Sequence, residues 1–203
     1  MRLVLGITGA SGSIYARRAL ALLAEHARDH RVDVVASATA PQVWQHELGQ
    51  PMPADFPAAR RWDRTDFSAP FASGSSPPDA VILLPCSMSA LARVAHGGGD
   101  DLLARACEVA LKERRRLILV VRETPLSLVH LRNMVAATEA GAIILPAVPS
   151  FYGSITTLEQ AVDTVVIRAL DRAGLELPHI KRWGSNASAT TTDHRPRGTE
   201  PQP

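Results

Sequence analysis

Five short apolar runs, at residues 2–7, 32–36, 80–85, 117–121 and 142–145, set the frame for this chain. Each has the length of a buried strand and is bounded by turn or helix-start residues. Helical patterns fill the gaps. One runs to about His26 with Ala16, Leu20 and Leu23 on a single face; shorter ones cover 41–48 and Ser87 to His96. Another, with Asp100 as its cap, runs to about Arg115, and a further helix spans 125–139 and stops at Gly141. Thr156 or Thr157 caps a last helix that ends at Gly174. Strands alternating with helices at this spacing predict an α/β domain: a parallel sheet covered by helices on both faces.

The pattern fails between Gly49 and Asp79, where prolines fall at 51, 53, 57, 70, 77 and 78. A stretch this long without periodicity reads as a functional loop or lid, carrying Trp62, Phe67, Phe71 and Ser73-Gly74-Ser75-Ser76. Residues 184–203 are rich in Ser, Thr, Pro and Asn and read as a disordered tail behind a domain at 1–183. With 203 residues, 46% of them hydrophobic, one ordinary core is affordable. The formal charge is only +2 and no basic block interleaves with aromatics, which argues against nucleic acid. Lys112-Glu113-Arg114-Arg115-Arg116 reads as the cationic end of a helix. Cys86 and Cys107 lack metal-ligand spacing and fit a reducing compartment. No apolar run approaches the roughly 20 residues of a membrane span. Residues 1–6 read as a first strand rather than a signal peptide, so a cytoplasmic protein is expected.

Ligand-type residues gather where strands end and helices begin, the rim at which parallel sheets bind ligands. The run 117–121 passes directly into Arg122-Glu123-Thr124-Pro125, with Thr124 suited to a helix cap and Pro125 to the first helical position. The alternative is two solvated charges on a turn. Gly6-Ile7-Thr8-Gly9-Ala10-Ser11-Gly12 joins a strand to a helix and differs from the dinucleotide spacing. It suits either a phosphate cradle or a tight turn without ligand. Pro85-Cys86-Ser87-Met88-Ser89-Ala90 offers amides and hydroxyls to a phosphate or a flat heterocycle, or simply a serine cap with a core cysteine. Phe151-Tyr152 follows the last strand, and Arg168 interrupts an apolar helix, placed for an anion or for solvent.

These motifs, together with Ala110-Leu111-Lys112-Glu113-Arg114-Arg115, occur in an order that closely resembles the UbiX-like flavin prenyltransferases, from residue 3 to about Trp183. The resemblance implies a flavodoxin-like or Rossmann-like protomer in a homododecamer. It implies transfer of the dimethylallyl group of dimethylallyl monophosphate to N5 and C6 of reduced FMN, without metal. The product, prenylated FMN, would serve UbiD-like decarboxylases of ubiquinone biosynthesis or of aromatic acids. Carried over residue by residue, FMN contacts fall on Gly9, Ala10, Ser11, Ser37, Ser87, Met88, Ser89, Ala90 and Arg122. Prenyl-phosphate contacts fall on Tyr152 and Arg168, with Lys112 and Arg122 near the same phosphate. Glu123 matches the catalytic glutamate, Ser11 the active-site serine, Glu47 an acidic position near the substrate, and Trp183 an aromatic folding over the site. Lys112 is expected to reach its phosphate across a subunit boundary. Asp101 stands where the family often has an amide, and Gly153-Ser154 where it usually has histidine. An FMN-dependent decarboxylase of the cysteine-decarboxylase type and a non-catalytic flavin carrier are the competing readings.

Overall fold

The computed structural model describes residues 1–27, 29–152, 155–175 and 177. Six parallel strands make one sheet: β1 (Arg2–Ile7), β2 (Arg31–Ala36), β3 (Ala59–Trp62), β4 (Ala80–Cys86), β5 (Arg116–Val121) and β6 (Ile143–Ile144). Their order is β3-β2-β1-β4-β5-β6. That is the Rossmann order; without the edge strand β3, the other five run as in flavodoxin. The chain reverses direction across the sheet between β1 and β4, so the crevice at their carboxyl ends is the ligand position this topology provides.

The apolar runs are strands because both of their faces are buried. Leu3, Leu5, Ile82, Leu84, Ile118 and Val120 point to one side, where α1 (Ser13–His26), α2 (Ala40–Leu48) and α6 (Leu158–Ala173) cover them. Val4, Val81, Leu83, Leu117 and Leu119 point to the other, under α3 (Met88–His96) and α4 (Leu102–Lys112). The helix α5 (Leu128–Glu139) adds Ala137 to that second core, with Met134 packed against it, and buries Asn133, which bonds His96 at 3.1 Å. Its Leu128, Val129, Leu131 and Val135 are exposed.

Several expectations are corrected. The stretch 49–79 is not structureless: it contains β3 and a short 3₁₀ turn at Pro70–Ala72. Trp62 ends β3 and anchors it by donating to the buried Asp33 carboxylate on β2 at 2.7 Å, while Phe71 is fully buried edge-on to Trp62. Asp101, not Asp100, caps α4, accepting from the Ala104 amide at 2.8 Å and holding Arg93 at 2.9 Å. The helix stops at Lys112 rather than Arg115. Thr124 and Pro125 do not open α5; Ser127 does, in a reciprocal capping box with His130. Residues 122–127 are therefore free to be a rim loop. The last strand shrinks to Ile143–Ile144. Thr157 caps α6 by a capping box with Gln160, and Gly174 ends it in the left-handed region. The expected tail, Trp183 and the Gly153-Ser154 departure lie outside the described residues.

Candidate functional site

Thr8, just past β1, sews the crevice together. Its hydroxyl donates to the Pro85 carbonyl at 2.7 Å and accepts the Ser87 amide at 2.9 Å. The loops after β1 and β4 thus share one buried hydroxyl, and Ser87 is set to cap α3 by accepting from the Ala90 amide at 3.3 Å. Met88 and Ala90 are buried, Ser87 is half-buried and Ser89 is exposed. The Arg122 amide donates to the Cys86 carbonyl at 3.2 Å, which carries the pairing of β4 and β5 one step beyond the sheet. So the ends of β1, β4 and β5 bring Ser11, Ser87 and Arg122 to one rim.

The Gly9–Gly12 turn is tighter than a phosphate cradle alone demands. A Cβ on Gly9 would lie 2.8 Å from Thr39 Cβ and still closer to its hydroxyl, so glycine lets the turn after β1 rest on the turn after β2, where Ser37 sits. Gly12 has φ +120°, a conformation that other residues avoid. The N-terminus of α1 is already occupied by an anion. Glu47 of α2 accepts from Gly12 N at 3.0 Å and from Ser13 N at 2.7 Å. Burial works to raise its carboxyl; the bonds from the Ser11 hydroxyl and the Ser13 and Gly12 amides outweigh it and hold the group below its ordinary range. Two amides at the head of α1, those of Gly12 and Ser13, are thus taken by Glu47, and the Ser11 hydroxyl helps to hold the same carboxylate low. A depression of about 660 Å³ opens here, lined by Gly9, Ser11, Gln42, Val43, His46 and Glu47, within the size range of cofactor sites.

Arg122 and Glu123 are exposed, and Glu123 folds back to accept the Thr124 amide at 3.0 Å. Arg122 faces Tyr15 in the first turn of α1. Burial pushes the Tyr15 hydroxyl up, while the positive field of Arg122 opposes the shift; the hydroxyl donates to the Ala147 carbonyl at 3.5 Å. Sequence reasoning missed Tyr15 and Thr8 as builders of this rim. The signal for both was their place inside and just behind the glycine-rich turn.

Of the prenyl-phosphate residues, Lys112 does not join Arg122 on this rim within one chain. Lys112 ends α4, immediately before β5 begins, so it lies at the opposite edge of the sheet from Arg122, about 20 Å away along a six-residue strand. There it pairs with Glu113. Tyr152 is 85% exposed beyond β6. Arg168 is exposed on α6, roughly 16 Å down the helix axis from its Thr157 cap. Cys86 and Cys107 are buried thiols; burial raises the former to about 12 and the latter beyond it, which keeps both unreactive. Among the described residues no group of three or more His, Cys, Asp or Glu could hold a metal ion, and no helix is long and apolar enough to cross a membrane.

The chain is 42% identical over 200 residues to the flavin prenyltransferase UbiX of Synechocystis sp., covering 89% of this chain and 95% of that one. The crystal structure of AnUbiX (PadA1) in complex with FMN and dimethylallyl pyrophosphate matches with TM-score 0.80 and 39% identity, over 90% of this chain and 96% of the other. A dodecameric FMN-dependent UbiX-like decarboxylase from Escherichia coli O157:H7 matches with TM-score 0.81 and 38% identity, over 90% and 99%. The Flavoprotein family profile spans residues 1–170. With that coverage, and with this level of identity to a flavin prenyltransferase, the chain belongs to the Flavoprotein family.

Proposed function

We propose that this protein is a flavin prenyltransferase that joins the dimethylallyl group of dimethylallyl monophosphate to N5 and C6 of reduced FMN. The observation that carries the reading is the rim itself. Ser11, tied to Glu47, Ser87 at the head of α3, and the Arg122-Glu123 pair stand at the ends of three adjacent strands. The residues suit a flavin: amides and hydroxyls at Gly9–Ser11, Ser37 and Ser87–Ala90 for its polar edge, and buried Met88 and Ala90 beside them.

The allylic C–O bond breaks as phosphate departs with the electron pair. Lys112, Arg122 and Arg168 take the negative charge that develops there, the work a metal ion does in many prenyl transfers. Tyr152 donates to the same group. The allyl carbon bonds N5, which gives up its proton; protonation of the remaining alkene then lets its tertiary carbon bond C6, which loses its own proton, so that the whole reaction releases one proton net. Glu123 or the departing phosphate accepts it, with Ser11 orienting the transfer and Glu47 holding Ser11. Glu123 must first leave the Thr124 amide.

Arg122 and Lys112 stand on opposite edges of one sheet, so the phosphate site is completed by a second copy. The exposed Leu128, Val129, Leu131 and Val135 of α5, with Val148, Phe151 and Leu158 nearby in sequence, give that copy an apolar surface to cover. A homododecamer, the state of the E. coli O157:H7 relative, satisfies this need. The product would be passed to a UbiD-like decarboxylase, and buried thiols are in keeping with a cytoplasmic enzyme.

The test is anaerobic incubation with reduced FMN, dimethylallyl monophosphate and EDTA, followed by mass spectrometry. The flavin is expected to gain one prenyl unit. Flavin bound without an adduct would refute the proposal and leave the decarboxylase or carrier reading. Glu123→Gln is expected to bind FMN normally and to turn over at least 100-fold more slowly, as when a positioned acid–base group is removed.

A further inference from the structure

We infer that Gly74 is a positioning residue for Lys112, and that Glu113 is the counter-ion that completes its seat. The inference rests on reading Lys112 as a phosphate ligand. Ser73-Gly74-Ser75-Ser76 lies at the amino-terminal edge of the sheet, on the same edge as Lys112. It is held from both sides. Arg105 donates to the Ala72 carbonyl at 3.0 Å, and Arg2 donates to the Ser76 hydroxyl at 2.9 Å. Ser73 and Ser75 bond each other across the loop at 2.9 Å. A Cβ on Gly74 would fall in hard contact with both Lys112 Nζ and Glu113 Oε1, with Glu113 Cδ at 3.2 Å. The ammonium therefore rests against the loop backbone at the one residue that has no side chain, with Glu113 paired to it.

A lysine end group is otherwise a mobile point charge on a four-carbon stem. Seating it against a clamped loop fixes where its three donors point before phosphate arrives, which reduces the ordering cost of binding. Glycine is not needed here for its backbone, since Gly74 is not among the glycines with positive φ. The atoms that a methyl group would displace are the far ends of two flexible side chains. An alanine should therefore move the ammonium and leave the fold intact, which makes Gly74→Ala a selective probe.

The test is a double-mutant cycle on the FMN-loaded full-length protein, with dimethylallyl monophosphate as titrant and oxidised flavin to prevent turnover. Gly74→Ala is expected to weaken binding about tenfold, the loss of a well-placed charge-assisted hydrogen bond. FMN affinity and melting temperature should not change. Lys112→Met should weaken binding at least as much, and the double variant should bind no worse than Lys112→Met alone, because both changes remove one ammonium. Unchanged binding in Gly74→Ala, or in Lys112→Met, overturns the inference, as do penalties that add in the double variant. The reaction is scored separately. Wild-type adduct formation with an unaffected Gly74→Ala overturns the seat alone. A non-additive cycle without any adduct supports the seat and refutes the proposed reaction.

Discussion

Replacing Glu47 by Gln tests the claim that an internal carboxylate holds the head of α1. In the folded chain its two oxygens accept from Gly12 N, from Ser13 N at 2.7 Å and from the Ser11 hydroxyl. The amide keeps one acceptor oxygen and turns an NH₂ toward the remaining donors. A charge-assisted bond is worth about 1 kcal/mol more than a neutral one, and an anion at a helix N-terminus adds roughly 0.3–1 kcal/mol; Glu47 is exposed, so solvent screens both contributions and the loss should be about 1 kcal/mol. In a chain of this length that is roughly 2–4 °C of melting temperature. The carboxyl is held below its ordinary range, so its contribution is fully present above that range and disappears as pH falls through the lowered folded value. The gap between wild type and Glu47→Gln should therefore be full at pH 7 and close as the pH drops below about 4. Thermal melts at matched protein concentration read the gap. Hydrogen exchange of the peptide around Gly12 and Ser13 places it at this helix. A gap under about 0.5 kcal/mol at pH 7, or one that stays constant into acid, would refute the capping argument.

Two further changes probe the rim and the shared site. Thr8→Val removes the hydroxyl between Pro85 and Ser87 and leaves a buried amide without its acceptor; roughly 2 kcal/mol of stability and a marked loss of FMN affinity are expected, and a fluorescence titration with unchanged affinity would separate the rim from flavin binding. Co-refolded equal mixtures of Lys112→Met and Glu123→Gln chains should recover about a quarter of wild-type turnover, since a site built from two copies draws each residue independently. Mixtures no more active than either variant alone would place the whole site in one chain.

The sequence disclosed the sheet wherever burial was complete. The runs 117–121 and 80–85 are apolar on both faces, so no choice of register could have hidden them. β3 was invisible because it is an edge strand reading Ala-Arg-Arg-Trp, held by backbone pairing with β2 and by one indole donating to Asp33, 29 residues away, neither of which shows in its local pattern. The start of α5 was misjudged because Thr124-Pro125 satisfies the local rules for a helix start. The Ser127–His130 capping box satisfies them better and also closes on itself. Glu47 shows the same limit in the site. That an acidic residue stands near the substrate was implied by resemblance, but its bond to amides 34 and 35 residues earlier depends on how α2 packs beside α1. Lys112, by contrast, was placeable: a helix that leads into a parallel strand must end at that strand's amino-terminal edge.

That last point ties assembly to chemistry. The flavin rim lies at the carboxyl ends of the strands, and Lys112 with its serine-glycine seat lies at the amino ends. No side-chain rotation spans a sheet about 20 Å deep. Either Lys112 has no part in the reaction, or a neighbouring copy delivers it. The exposed apolar residues of α5 favour the second, because that helix contributes little to its own core and would otherwise leave Leu128, Val129, Leu131 and Val135 in water. Covering α5 and completing the phosphate site then become one event. A charge substitution such as Val135→Glu, remote from both motifs, should abolish prenyl transfer while leaving the monomer folded. An assembled, active Val135→Glu protein would break the link between that surface and the site.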